Sequence, residues 1–250
     1  MAGPTRGPGT GTTSIEVLWG LLTSPADGFS PVTSYQLDWD AGAGPGGAWQ
    51  SLAGVATNYL QSSYVVTSGA GVTAGAAYRF RLRAVNFWGP GAYSPATTIV
   101  AARAPAQPGA PSTTVDPATG DVVVSWVAPD GQGDPITTYT VEIEGASPGA
   151  WSAESTHCGG SAATSCSVPM SVLTAAPYSL GQGALVAARV TASNAYGPSV
   201  ASPSSPAGAD VRVAPLGMAA PARGPGTSTS QVEVLWDALL SPADGGSAVT

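Results

Sequence analysis

The chain has 250 residues, 9% of them charged, and a formal net charge of −7. All eight cationic residues are Arg and none is Lys, so no basic patch exists to displace counterions from a nucleic acid. With 33 Gly and 23 Pro but also seven Trp, eight Tyr and 43% hydrophobic residues, the composition describes a folded all-β protein rich in turns; its length suggests about two domains.

The first predicted strand is SIEVLWG (14–20), where Ile15, Val17 and Trp19 recur with period two. Period-two alternation places these three on one buried face. A turn, SPADG (24–28), leads into VTSYQLDWD (32–40), with Tyr35, Leu37 and Trp39 on one face. GAGPGG (42–47) reads as a hairpin loop and not a phosphate cradle, since it has no Lys and no following helix. In GAAYRFRLRAVNFWGPGAYSP (75–95), Tyr78, Phe80, Leu82 and Ala84 face one way; Arg79, Arg81 and Arg83 face the other. The Arg residues are expected to form a cross-strand ladder with Asp38 and Asp40, worth tenths of a kcal/mol per pair.

After a Pro/Ala linker (101–117), the pattern begins again. DVVVSWV (121–127) repeats the first strand, APDGQGDP (128–135) the turn, and ITTYTVEIE (136–144) the second strand. GALVAARVTASNAYGPSVASP (183–203) aligns with 75–95 without a gap, and Arg189 is placed to meet Glu142 or Glu144. No segment shows helical periodicity. A second linker-like stretch (213–226) then precedes QVEVLWD (231–237) and a further SPADG turn (241–245). Residues 218–250 match residues 1–33 at 22 of 33 positions with no gap. One full 217-residue unit is therefore followed by the start of the next, and both ends read as cuts through a longer, repeating polypeptide.

A Trp ending one strand, a Tyr-x-hydrophobic in the next, and a Tyr-to-Asn-x-x-Gly strand and turn together resemble fibronectin type III domains. The first copy carries Trp19, Tyr35, Val72, Tyr78, Asn86 and Gly89; the second carries Trp126, Tyr139, Leu180, Asn194 and Gly197. The second departs at Val186, where the family places a loop-tethering tyrosine, so that corner must be held differently. The resemblance implies tandem immunoglobulin-like antiparallel β-sandwiches over residues 2–103 and 104–214, with the first strands of a third, truncated repeat over 215–250. The run from CSVPMSVL to SNAYG also resembles fibronectin type III repeats of very large cell-surface proteins in protists.

Cys158 and Cys166 are the only cysteines. They could be two free thiols, half of a metal site, or a disulfide. With one His in the chain, His157, a four-ligand zinc site cannot be assembled from one copy. A disulfide is the expected state; it would contribute roughly 2–3 kcal/mol and place the chain in an oxidising compartment. His157 reads as a solvated loop residue, and no Ser–His–Asp or paired-carboxylate arrangement emerges. No enzyme, cofactor or metal is expected, and no apolar run approaches the ~20 residues that span a bilayer.

The exposed feature most able to bind is aromatic: Phe87-Trp88 in the first Asn-turn and Tyr196 in the second. The Arg-Gly-Asp that integrin-binding family members carry in this turn is absent. Asn58, Asn86 and Asn194 lack the N-x-Ser/Thr sequon; the abundant Ser and Thr leave room for O-linked glycans. The leading expectation is a structural, non-catalytic repeat segment of an extracellular filament or rod-like cell-surface protein, its partners other copies of itself. The alternative is an adhesion module binding a receptor or glycan through Phe87, Trp88 or Tyr196.

Overall fold

A computed structural model describes residues 1–214 and 218–238. By their contacts these residues divide into two units. Unit 1 comprises Met1–Ala106, Asp130–Ile136 and Ser193–Pro198; unit 2 comprises Gln107–Pro129, Thr137–Ala192 and the described residues from Ser199 onward.

The first 106 residues form β1 (Thr5–Arg6), β2 (Ser14–Leu18), β3 (Ser34–Trp39), β4 (Gln50–Ala53), β5 (Ser63–Thr67), β6 (Ala77–Asn86), β7 (Gly89–Pro90) and β8 (Thr97–Val100). One sheet has the order β1-β2-β5; the other runs β4-β3-β6-β7, with β8 also paired to β6. The pairs Leu37↔Leu82 and Trp39↔Phe80 on β3–β6, and Ile15↔Val66 on β2–β5, put the alternating apolar residues on the two inner faces. Ile15, Val17, Leu37, Phe80 and Leu82 are completely buried, and Trp19 nearly so. Each such side chain contributes roughly 1.5–3 kcal/mol on leaving water. GAGPGG links β3 to β4 as a hairpin, as its composition suggests.

Tyr78 reaches back from β6. Its hydroxyl donates to the Gly71 carbonyl at 3.0 Å and accepts from the Thr73 N–H at 2.9 Å, pinning the crossover that follows β5. Tyr78→Phe is expected to cost about 1–2 kcal/mol, because the Thr73 N–H loses its partner. Chemical denaturation of the two proteins checks this; an unchanged midpoint would mean water replaces the hydroxyl.

The second half adds β9 (Ser112–Val115), β10 (Val122–Ser125), β11 (Thr138–Glu144), β12 (Trp151–Ala153), β13 (Ser165–Val168), β14 (Ala188–Asn194) and β15 (Gly197–Pro198). The orders β13-β10-β9 and β12-β11-β14-β15 repeat those of the first half. Val122, Val124, Val141, Ile143, Val186, Ala188 and Val190 fill the core, beside Trp126 and Tyr139.

Two single-turn helices, α1 (Ser155–Cys158) and α2 (Met170–Thr174), lie within the otherwise β fold. One turn is too short to leave a 3.6-residue pattern in the sequence. α1 forms because the Glu154 side chain accepts the N–H groups of Thr156 and His157, which a helix start leaves unsatisfied. The corner that Val186 cannot hold is held by Tyr178: it is buried beyond α2, and its hydroxyl donates to Glu154 Oε2 at 2.8 Å.

The third copy begins with β16 (Ala222–Arg223) and β17 (Val234–Leu235). Their register, Ala222↔Leu235 and Arg223↔Val234, is that of β1–β2, Thr5↔Leu18 and Arg6↔Val17, displaced by 217. The SPADG turn at 241–245, like most of the end of the repeat, lies outside the described residues.

Candidate interaction surface

The turn joining β6 to β7 carries Phe87 and Trp88, which are 82% and 81% exposed. Their rings meet edge to face, 5.3 Å between centroids at 89°. The backbone beneath them is fixed. Asn86 Oδ1 accepts the Trp88 N–H at 2.9 Å, and Asn86 Nδ2 donates to the Asp27 carbonyl at 2.8 Å, tying this turn to the loop between β2 and β3. Asp27 Oδ1 in turn accepts the N–H of Phe29 at 3.0 Å. Phe29 stands in the left-handed region (φ 58°) and is 83% exposed. The two loops border an open hollow of about 390 Å³ whose lining includes Met1, Leu22, Asp27, Val32 and Trp88.

Tyr196, on the matching turn of the second half, is placed differently. It is half-buried within unit 1, with the Arg6 guanidinium 4.7 Å from its ring centroid. Arg6 also donates to the Thr10 and Ala102 carbonyls. Tyr196 is thus already covered, whereas Phe87 and Trp88 are not. Phe29 escaped the sequence reading because it follows a turn, SPADG, that explains itself by conformation alone.

The outer face of the second sheet in the first half holds charges and rings in alternation. Arg81 donates to Asp38 Oδ2 at 2.9 and 3.2 Å and lies between Trp49 (4.4 Å) and Tyr93 (3.8 Å); Arg83 also covers Tyr93, at 4.4 Å. Burial, then the hydrogen bond to Asp38, pushes the Tyr93 phenol above its ordinary value. The expected ladder is corrected at its end: Asp40 takes the backbone N–H groups of Gly42 and Arg79, and Arg83 meets Gln36. Asp40 sits at the strand end where a tight turn exposes free N–H groups, which outcompete a flexible guanidinium. In the second half Arg189 donates to both oxygens of Glu142, at 2.8 and 3.1 Å, and covers Trp151. These contacts, at roughly 0.5–1 kcal/mol each, stiffen an exposed sheet.

Cys158 and Cys166 are bonded, with an S–S distance of 2.06 Å joining α1 to β13. His157 is solvent-exposed, as expected, but it lies in α1 and not in a loop. Its Nδ1 lies 3.1 Å from Oε1 of the buried Glu154, whose other oxygen meets the buried Tyr178 hydroxyl, so the exposed imidazole edges a buried carboxylate–phenol pair beside the disulfide. Burial works against the Glu154 charge, but donors from Tyr178, His157 and Thr156 outweigh it and hold the carboxyl below its ordinary value. Burial, and then Glu154, drive the Tyr178 phenol far above the usual range. Among the described residues no group of three or more His, Cys, Asp or Glu could hold a metal, and no helix is long and apolar enough to cross a membrane.

Sheets of three and five strands in the first half, and of three and four strands in the same orders in the second, make the described chain a tandem of immunoglobulin-like antiparallel β-sandwiches. No protein-family model matches the chain, and no curated protein matches it. Solved structures similar to it include the chicken CNTN1 FN1–FN3 domains, at 16% identity over 96% of this chain and 75% of that one, TM-score 0.37. The sixth fibronectin type III domain of human fibronectin type III domain containing protein 3 matches at 23% identity over 40% of this chain and 81% of its own, TM-score 0.32. Domains A168–A170 of titin match at 20% identity over 78% of this chain and 57% of theirs, TM-score 0.38.

Proposed function

We propose that this chain is a structural, non-catalytic repeat segment of an extracellular filament or rod-like cell-surface protein, built on a 217-residue, two-sandwich period. Sandwiches at 2–103 and 104–214, with a third beginning at 215, are the segments of that rod. The observation that carries the reading is the recurrence of one tertiary detail at constant offset. Thr10 Oγ1 bonds both the carbonyl (3.2 Å) and the N–H (3.0 Å) of Glu16; Thr227 Oγ1 does the same to Glu233, at 3.2 and 3.0 Å. The start of the unit thus recurs with a side-chain contact in place, which supports an array of repeats. The disulfide favours an oxidising, extracellular setting. Ser- and Thr-rich surfaces offer sites for O-linked glycans. Electron microscopy of the native material tests the proposal: fibres or rods with an axial repeat of one two-sandwich unit are expected. Discrete particles without a longitudinal repeat would overturn it.

A second reading, an adhesion module for a receptor or glycan, is favoured by one observation alone, the exposure of Phe87 and Trp88. A glycan or receptor-ectodomain array probed with the chain discriminates it.

A further inference from the structure

The formal charge of −7 is spread unevenly along the chain. Residues 2–103 carry five Arg against four carboxylates, a net of +1; residues 104–214 carry two Arg against eight carboxylates, a net of −6. One sandwich is weakly positive and the next strongly negative. The contrast is visible on one sheet face. On β6, Arg79, Arg81 and Arg83 alternate with buried residues and point away from the core. Arg81 is matched by Asp38, at 2.9 Å. Arg79 meets the Gly44 carbonyl and the Trp49 ring, and Arg83 meets the Gln36 amide oxygen and the Tyr93 ring. These partners are neutral. They hold two guanidinium groups in place and leave their charges uncompensated. The other carboxylate of this face, Asp40, is 1% exposed and accepts backbone N–H groups.

The same face of the second sandwich has the opposite sign. The gapless alignment of 75–95 with 183–203 puts Ala187 at the place of Arg79 and Thr191 at the place of Arg83, so both unpaired cations are gone. Arg189, at the place of Arg81, is matched by Glu142. Glu144 stands where Asp40 does in the first sandwich, but it is only half-buried; it accepts the Gly149 N–H and forms no ion pair among the described residues. One face therefore has two positive charges to spare and the other has a negative one, on a sandwich that is negative throughout.

We infer that the β3–β6 face of the first sandwich binds the β11–β14 face of the second sandwich in another copy of the chain. Charge complementarity selects this occupant. Two first-sandwich faces would set unpaired Arg against Arg, and two second-sandwich faces would set Glu144 against Glu144; only unlike faces attract. The spacing agrees as well: alternate residues on any strand stand roughly 6.7 Å apart, so a row of guanidinium groups on β6 can lie in register with the carboxylates of β11. The contact joins two different surfaces, so it does not close on itself and each added copy leaves one face of each kind free. In a repeating array, neighbours displaced by one sandwich would bring every positive face against a negative one. The inference deepens the structural reading above and rests on it only in taking copies of the chain as partners.

Sedimentation velocity of the full chain at about 20 mM and about 0.5 M salt tests it, since the higher salt screens exposed charges beyond a few ångströms. At low salt the mean mass should grow with protein concentration; at high salt it should fall back to that of the monomer. R79S/R83S removes the two uncompensated cations from one face. E142Q/E144Q removes the carboxylates from the other and keeps acceptors for Arg189 and the Gly149 N–H. Each variant alone should associate at least about fivefold more weakly than the native chain. Mixed, they should form one-to-one pairs at close to native strength, because each supplies the face the other lacks; a misfolded variant could not do so. A monomer at low salt, association indifferent to salt and to both variants, or a mixture as weak as its parts overturns the proposal. So does a monomeric chain that binds heparin through Arg79 and Arg83. Fibres of native material without this association sink the pairing and keep the filament, whereas the association without fibres does the reverse.

Discussion

Glu154→Ala is expected to lower the stability of the second sandwich by about 3 kcal/mol, since hydrogen bonds to a charged group contribute about 1.5–3 kcal/mol each and buried donors left alone are costly. The carboxylate is 5% exposed and accepts from the Thr156 and His157 N–H groups at 3.0 and 3.1 Å and from the Tyr178 hydroxyl at 2.8 Å. Its removal deprives α1 of its N-terminal cap and strands a buried phenol at once. The pH dependence has a definite sign. The folded carboxyl titrates below the ordinary value of 4.5, so its contribution is fully present above that pH and is lost as pH falls from there through the folded value. Glu154→Gln should flatten this acid limb while leaving a neutral acceptor for Tyr178. Hydrogen exchange at the amides of β10 and β13, followed from pH 7 downward, separates this sandwich from the rest of the chain. An acid limb unchanged in Glu154→Gln would mean that other carboxylates govern it.

The strands were legible because their chemistry is local. Ile15, Val17 and Trp19, like Val122, Val124 and Trp126, alternate within five residues, and the inner faces follow from that spacing. Repetition made the reading firmer, since the register of β16–β17 is the register of β1–β2 shifted by 217. The Glu154 cluster left no such trace. Glu154 and Tyr178 are 24 residues apart, and only the fold brings a residue after β12 to one beyond α2. Trp49, Tyr93 and Trp151 escaped for the same reason: their partners, Arg81 and Arg189, lie on a neighbouring strand. Of the aromatic turn residues, the sequence showed that Phe87, Trp88 and Tyr196 occupy equivalent turns. It could not show that Arg6 covers one and leaves the others bare, because Arg6 is 190 residues from Tyr196 along the chain. Covering is a property of tertiary structure; exposure in a turn is a property of local sequence.

Removing the disulfide, as Cys158→Ser/Cys166→Ser, should cost about 2–3 kcal/mol, the loop-closure entropy returned to the unfolded chain when a crosslink eight residues apart is lost. The value is modest because the loop is short, so much of the effect should appear locally. Cys158 ends α1, and Cys166 sits opposite Val124 on the β10–β13 ladder. Without the bond, the segment between α1 and β13 gains freedom, and Glu154 must hold its donors against a fraying helix. The two perturbations therefore act on one structure, and their effects should not add. In the variant lacking the disulfide, Glu154→Ala should cost less than it does alone, since part of what it breaks is already loose. A double-mutant cycle measured by denaturant unfolding, read through exchange at β13, gives the coupling directly. A coupling near zero would mean that the cap and the crosslink stabilise separate regions. A coupling of about 1 kcal/mol would make the disulfide the fastening for the buried carboxylate cluster that takes over the corner held by Tyr78 in the first sandwich.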